Sequence, residues 1–270
     1  MEYRDFIEIC AALLGLLMGS FVNVCVSRLP ECESVVEPRS HCRRCGALIA
    51  WYDNLPLLSF ALLRGRCRAC RAPISWRYPL VEALTGAWFW LAVRMSGLDW
   101  MALKMCLFGF ILIELFFSDL ESRILPDEFT LGGWMAGVML APVAPPPPGI
   151  AAILLEGRNA KLAALLGAGL GSLVLAGLLW LVGWLFQLIR KREGLGLGDV
   201  KLLGMMTAFL GLESAILALL AASLAGSVIG VIWIRWQRKD PSSYELPLGS
   251  FLAAAGLVVS LAAALGAFAP

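Results

Sequence analysis

Apolar and polar residues fall into long blocks along this chain rather than alternating at short period. A spanning helix needs about 20 mostly apolar residues. Runs that meet or approach that length lie at 6–26, 79–95, 100–119, 128–143, 162–189, 200–212, 214–234 and 246–267. The pattern predicts an all-α polytopic membrane protein of eight transmembrane helices. The 200–212 run is short, and the break at 212–214 is the least sharply marked boundary. One long polar segment interrupts the series. The expected organisation is a first helix over 1–27, a cysteine-rich segment over 28–78 and a seven-helix membrane domain over 79–270. The N-terminus MEYRD is not basic and the first apolar run is long, so no cleavable signal is expected.

Composition agrees with the pattern. Hydrophobic residues make up 60% of the chain and charged residues only 16%, against about 25% charged in soluble domains. The placement of charge then sets orientation. With the N-terminus outside and eight spans following, all but five of the 22 basic residues face the cytoplasm; the five are Arg4, Arg94, Lys104, Arg158 and Lys161. That asymmetry is the positive-inside rule, and the reverse orientation breaks it. The outer loop 144–161 carries Pro145–Pro148, a stiff connector with no backbone N–H to donate. Glycine pairs four apart (Gly15/Gly19, Gly133/Gly137, Gly167/Gly171, Gly226/Gly230) read as close helix packing.

Candidate chemistry appears in two places. The polar segment holds C-x-x-C twice, Cys42/Cys45 and Cys67/Cys70, with 21 residues between the pairs. Four thiolates complete a tetrahedron around a structural zinc ion, and a reducing cytoplasmic setting argues against disulfides. His41, the single histidine, reads as a loop residue, and Cys10, Cys25, Cys32 and Cys106 are given no role. The second place is acidic. Asp119 ends a span entering the cytoplasm and Asp199 begins one leaving it, so both lie at the same membrane face. Two carboxylates meeting across helices can activate a water and protonate a leaving group; taken alone, helix capping is the better reading of them. Glu82 and Glu114 lie within apolar helices and are read equally as site residues or hydrogen-bonded packing residues. Lys201 is open to two positions, beside the aspartates or at lipid headgroups.

Taken together, the motifs change the picture. G-x-G-D at Gly196–Asp199 resembles the signature of intramembrane GxGD aspartyl proteases. Nearly the whole chain resembles the bacterial prepilin leader peptidase/N-methyltransferase family (type IV prepilin peptidases). The matching stretches are GSFVNVCVSRLP at 19–30, the two C-x-x-C pairs, WYDNLPLLSFALLRGRCRAC at 51–70, ISWRYPLVE at 74–82, DLESRILPD at 119–127 and GLGDVKLL at 196–203. The resemblance implies a bacterial inner-membrane enzyme that cleaves the leader of prepilins or pseudopilins after a glycine. The enzyme then methylates the new N-terminus with S-adenosylmethionine. It implies Asp119 and Asp199 as the catalytic pair, the latter in the active-site turn begun by Gly196 and Gly198, and prepilins or pseudopilins as substrates. Lys201 and Glu82 stay candidates for a supporting role, and membrane lipid, not nucleic acid, is the other expected partner. One departure stands at 247–251, where the family often reads P-F-G-P-F and this chain reads PLGSF.

Three further expectations follow. The turn glycines leave room for an extended substrate and permit positive φ. Helix dipoles push the two aspartates apart: Asp119 at a negative C-terminal end holds the proton, and Asp199 at a positive N-terminal end is ionised. No G-x-G-x-x-G occurs, since position 199 is aspartate, so methyl-donor binding falls to an unconventional site within 28–82. Two rival readings, a transporter and a non-catalytic assembly platform, fit the paired aspartates at one membrane face less well.

Overall fold

The computed structural model describes residues 3–147, 155, 157, 159–191, 194–237 and 246–266. Half of the 144–161 loop, with Pro148 and Arg158, lies outside the described residues, as do Arg192, Arg238 and Lys239. Among the described residues the fold is helical throughout, with two isolated β-bridges and no strand. The chain divides into two compact units, Met1–Glu114 and Leu115–Pro270.

In the first unit, α1 (Tyr3–Arg28) packs along α3 (Arg77–Ser96), with the short helix α2 (Leu58–Leu62) in the segment between. Two polar ties fix α1 and α3 as antiparallel. Near one end Glu8 accepts from Arg4 and Arg94, each at 3.2 Å. Near the other, Asn23 Nδ2 donates to the Tyr78 carbonyl at 3.1 Å. The Gly15/Gly19 pair forms the contact, as small residues at this spacing predict. A Cβ on Gly15 would lie 2.7 Å from the Thr85 carbonyl, and one on Gly19 would lie 2.7 Å from Glu82 Cα. α4 (Trp100–Ser122) begins in this unit, where Trp88 Nε1 donates to the Met105 carbonyl at 2.7 Å.

The second unit contains α5 (Asp127–Leu140), α6 (Ala160–Arg190), α7 (Leu197–Leu210), α8 (Leu212–Gln237) and α9 (Leu248–Ala264). α7 is its centre, packed by α5, α6, α8 and α9. Every residue from Val200 to Leu210 except Lys201 is buried. Gly211, with φ +84°, ends α7 and α8 starts at once, so the break falls just before the expected 212–214.

Four helices are long and apolar enough to cross a membrane: Tyr3–Glu31, Trp100–Ser122, Ala160–Arg190 and Leu212–Trp233. The other four expected spans also coincide with helices, α3, α5, α7 and α9. At 14 residues each, α5 and α7 reach only about 21 Å at 1.5 Å per residue. That is short of the roughly 30 Å hydrocarbon layer.

Candidate functional site

Asp119 lies in the last turn of α4 and Asp199 in the first turn of α7, both within the second unit. Asp119 is buried and Asp199 half-buried. Their carboxyl groups are close enough for a charge on one to oppose a charge on the other.

The surroundings of Asp119 correct the dipole expectation. Asp119 does end its own helix, but its side chain reaches the beginning of another. The Ser250 N–H donates to Asp119 Oδ2 at 2.6 Å, and the Ser250 hydroxyl lies 2.8 Å from the same oxygen. Ser250 is the third residue of α9, so its N–H is among the first four that a helix leaves unsatisfied. Asp119 therefore caps the positive end of α9, while Asp199 sits within the positive end of α7. Helix dipoles place the two carboxylates in like rather than opposite fields, and the assignment of the proton to Asp119 on that ground does not stand. The Ser250 hydroxyl is what distinguishes the two. It carries one proton and has a second acceptor in reach, the Phe116 carbonyl at 3.1 Å.

The glycines act by absence of volume. Neither Gly196 nor Gly198 has positive φ, contrary to the expected freedom; Gly196 caps α7 from extended backbone at φ −69°. A Cβ on Gly198 would lie 3.2 Å from Leu125 Cδ1. One on Gly249, at the start of α9, would lie 3.0 Å from Asp119 Cγ and 3.1 Å from Leu125. Leu125 thus fills the space that two glycines, one from each helix start, leave open. Among the described residues beyond its chain neighbours, a Cβ on Gly196 would meet only Asp199 Oδ2, at 3.4 Å.

The supporting residues fall elsewhere. Lys201 Nζ pairs with Asp127 Oδ1 at 2.7 Å, tying α7 to the first turn of α5. Glu82, in the first unit, accepts the Leu57 N–H at 2.8 Å. Leu57 adopts φ 58°, ψ −45°, and the Leu58 N–H reaches the Pro56 carbonyl at 2.6 Å. This is the rare positive-φ γ-turn, a strained conformation, and Glu82 holds it from behind.

Cys42, Cys45, Cys67 and Cys70, all in the first unit, converge. Their sulfurs all lie within 4.8 Å of one another, with Cys42 and Cys70 3.8 Å apart. A tetrahedral thiolate site with metal–sulfur bonds of about 2.3 Å needs sulfurs about 3.8 Å apart, so the cluster fits a metal ion. The backbone N–H groups of Cys45 and Arg44 lower the Cys42 thiol to about 6, favouring the thiolate that a metal binds. His41 turns away; its Nδ1 lies 3.2 Å from the Arg39 carbonyl.

The cysteine pairs belong to a repeat that sequence reading missed. Cys42 N–H bonds Ala47 O at 2.9 Å, Gly46 N–H bonds Cys42 O at 2.8 Å and Ile49 N–H bonds Ser40 O at 2.8 Å. At a constant offset, Cys67 N–H bonds Ala72 O at 2.8 Å, Arg71 N–H bonds Cys67 O at 3.0 Å and Ile74 N–H bonds Gly65 O at 2.7 Å. The bridges His41↔Leu48 and Arg66↔Pro73 correspond too. The signal was present as ALIAW at 47–51 and APISW at 72–76, each separated from its cysteine pair by one residue. Ser250 had no such signal, because half of its contribution is a backbone N–H.

Fold and sites together define a helical membrane-class protein with a facing aspartate pair and a four-cysteine cluster. Residues 13–95 match the Bacterial Peptidase A24 N-terminal domain, and residues 106–231 match the Type IV leader peptidase family. The chain is 42% identical over 224 residues to a prepilin leader peptidase/N-methyltransferase of Myxococcus xanthus, covering 82% of this chain but 62% of that relative. It is 35% identical over 276 residues to the protein of the same name from Stutzerimonas stutzeri, covering 94% of this chain and 90% of the relative. With that of Aeromonas hydrophila it shares 37% over 274 residues, covering 92% and 88%. The chain belongs to the type IV leader peptidase family. No solved structure matches it.

Proposed function

We propose that this chain is a bacterial inner-membrane aspartyl endopeptidase and N-methyltransferase. It removes the leader of type IV prepilins or pseudopilins after a glycine, on the cytoplasmic side, then methylates the new N-terminus with S-adenosylmethionine. The observation that carries this reading is the seating of Asp119 and Asp199 at two helix starts of one unit, within reach of each other's charge. The names of the relatives support both activities.

In this mechanism one carboxylate takes a proton from a water whose oxygen attacks the scissile carbonyl carbon. The other, protonated, donates to the carbonyl oxygen. Collapse breaks the C–N bond and the leaving amine takes up a proton. The pair exchanges one proton over the reaction. Ser250 keeps Asp119 satisfied throughout. Its hydroxyl donates to a charged Asp119; when Asp119 is protonated the hydroxyl can turn to the Phe116 carbonyl, which leaves the carboxyl proton free for the substrate. Gly196, lacking a Cβ, leaves room for the extended substrate.

Cys42, Cys45, Cys67 and Cys70 would hold zinc as a structural ion, with no open ligand position for chemistry. S-adenosylmethionine supplies an electrophilic methyl group, and its placement within 28–82 is part of the proposal. Trp51 and Trp76 occupy matching places in the cysteine repeat, and both are exposed. Their ring faces suit a sulfonium cation. Eight spans with the N-terminus outside, and cytoplasmic placement of 28–78 and both aspartates, complete the reading.

The test is cleavage of a purified prepilin by the full chain in detergent, followed by mass, with Asp119→Ala and Asp199→Ala alongside. Leader loss abolished by each substitution is the expected result. Cleavage persisting in either variant sinks the pair assignment.

A further inference from the structure

Beside the second cysteine pair a cleft of about 630 Å³ is lined by Leu62, Leu63, Arg64, Arg66, Arg68 and Arg71. Arg68 is spoken for: it grips Asp53 through two bonds of 2.7 and 2.6 Å, and the guanidinium holds that carboxyl below its ordinary range. Among the described residues, Arg64, Arg66 and Arg71 are in no ion pair. Three exposed guanidinium groups therefore share one cleft with no balancing carboxylate.

Backbone conformation makes this concentration costly. Arg71 has φ 59°, and its counterpart in the cysteine repeat is Gly46, at φ 70°. A glycine adopts that conformation freely, whereas a residue with Cβ pays roughly 1–2 kcal/mol. Arg64 has φ 52° and precedes Gly65 at φ 65°; the Arg66 N–H closes onto the Leu63 carbonyl at 3.1 Å. This turn, with both central residues left-handed, favours Asn-Gly or Gly-Gly. Two of the three uncompensated arginines thus occupy positions where local structure disfavours them. For Arg71 the other copy of the repeat, with Gly46 in its place, shows that the metal knuckle itself needs no arginine there.

The segment is tied to the membrane helices at both ends. Arg43 donates to the Ser27 carbonyl at 3.0 Å and Arg77 to the Ser27 hydroxyl at 2.8 Å, where α1 ends and α3 begins. Leu58 and Leu62 of α2 stand exposed at 53% and 73%. Basic and apolar groups exposed together beside the ends of membrane helices match the two halves of a phospholipid, phosphate and acyl chain.

We propose that this cleft binds the phosphate of an anionic phospholipid, with Arg64, Arg66 and Arg71 on the headgroup and Leu62 and Leu63 against the acyl chain. The site rests on the membrane placement proposed above, and it seats the cysteine-rich segment on the cytoplasmic leaflet. The test uses the full chain in nanodiscs of phosphatidylcholine alone or with added phosphatidylglycerol, extracted into neutral detergent and weighed by native mass spectrometry. Stable incorporation into both discs checks the membrane placement independently of lipid choice.

The wild type is expected to retain phosphatidylglycerol over phosphatidylcholine. Arg64→Gly and Arg71→Gly, which relieve the backbone, are each expected to leave metal content and thermal stability unchanged or improved. Each should weaken that retention about fivefold, near the value of one basic group at an anionic surface. Equal retention of the two lipids by the wild type overturns the proposal, as does undiminished retention by the double variant. If inorganic phosphate binds the purified chain as tightly as the lipid does, the acyl half is wrong and the source is free phosphate. Loss of metal or stability in Arg71→Gly would assign that residue to the knuckle instead.

Discussion

Ser250 meets Asp119 with both of its donors: the backbone N–H lies 2.6 Å and the hydroxyl 2.8 Å from one carboxylate oxygen. A proline at position 250 could provide neither. The contact joins the end of α4 to the start of α9, far apart in sequence, and fixes the side chain of one proposed catalytic aspartate while leaving its proton free to come and go.

Ser250 is therefore a positioning residue, and its substitution is expected to act on turnover. Ser250→Ala keeps the N–H and loses the hydroxyl. A hydrogen bond to a charged group is worth about 1.5–3 kcal/mol, so kcat for prepilin cleavage should fall roughly 10- to 100-fold with KM nearly unchanged. Ser250→Thr, which keeps the hydroxyl, should recover most of the loss, and Ser250→Pro should be worse than alanine. A rise in KM alone, or a threonine variant no better than alanine, would show that the serine serves packing only.

Lys201 separates proximity in sequence from participation. Two residues after Asp199, it nevertheless pairs with Asp127, and both partners are substantially solvent-accessible. Exposed pairs of this kind contribute about 0.2–1 kcal/mol. Lys201→Met is expected to lower thermal stability by no more than that and to leave cleavage within about fivefold of wild type. A loss as deep as that of Asp199→Ala would bring Lys201 into the catalytic machinery.

Much of this was legible in the sequence because it is written in local pattern. Apolar runs mark the helices, C-x-x-C spacing marks the metal cluster, and G-x-G-D marks the start of α7. What was not legible depends on contacts between distant segments. The dipole argument treated Asp119 as belonging only to α4, since nothing in DLESRILPD announces that its carboxylate will cap α9. The role of Gly198 as space for Leu125 is likewise visible only once two helix starts are side by side. The repeat around the cysteines could have been found by sliding the segment along itself, and it explains why Arg71 takes a conformation that suits glycine.

Glu82 and Leu57 form a strained turn and its restraint, and their variants should move stability in opposite directions. Leu57→Gly removes the Cβ from a backbone at φ 58° and is expected to be neutral or stabilising. Glu82→Leu leaves the Leu57 N–H without its acceptor and should cost about 1–3 kcal/mol, read as a lower melting temperature in detergent. Glu82→Gln retains an acceptor oxygen and should sit between the two. A melting temperature unchanged in Glu82→Leu would mean that the turn holds without the carboxylate.

The cysteine cluster predicts a metal-dependent local fold. Segment 28–78 has three short one-turn helices and little buried apolar surface, so its order depends on the ion, as in other small metal-bound domains. The purified chain should carry one zinc, and Cys67→Ser should lose it. Arg43, Arg44, Arg66 and Arg68 flank the cysteines and offer trypsin its sites. They should resist cleavage in the zinc-loaded chain and be cut rapidly in Cys67→Ser or after strong chelation. The membrane helices should remain intact by mass in the same digest. Equal resistance with and without zinc would show that hydrogen bonds and docking onto α1 and α3 hold the segment, and the structural role of the metal would fall.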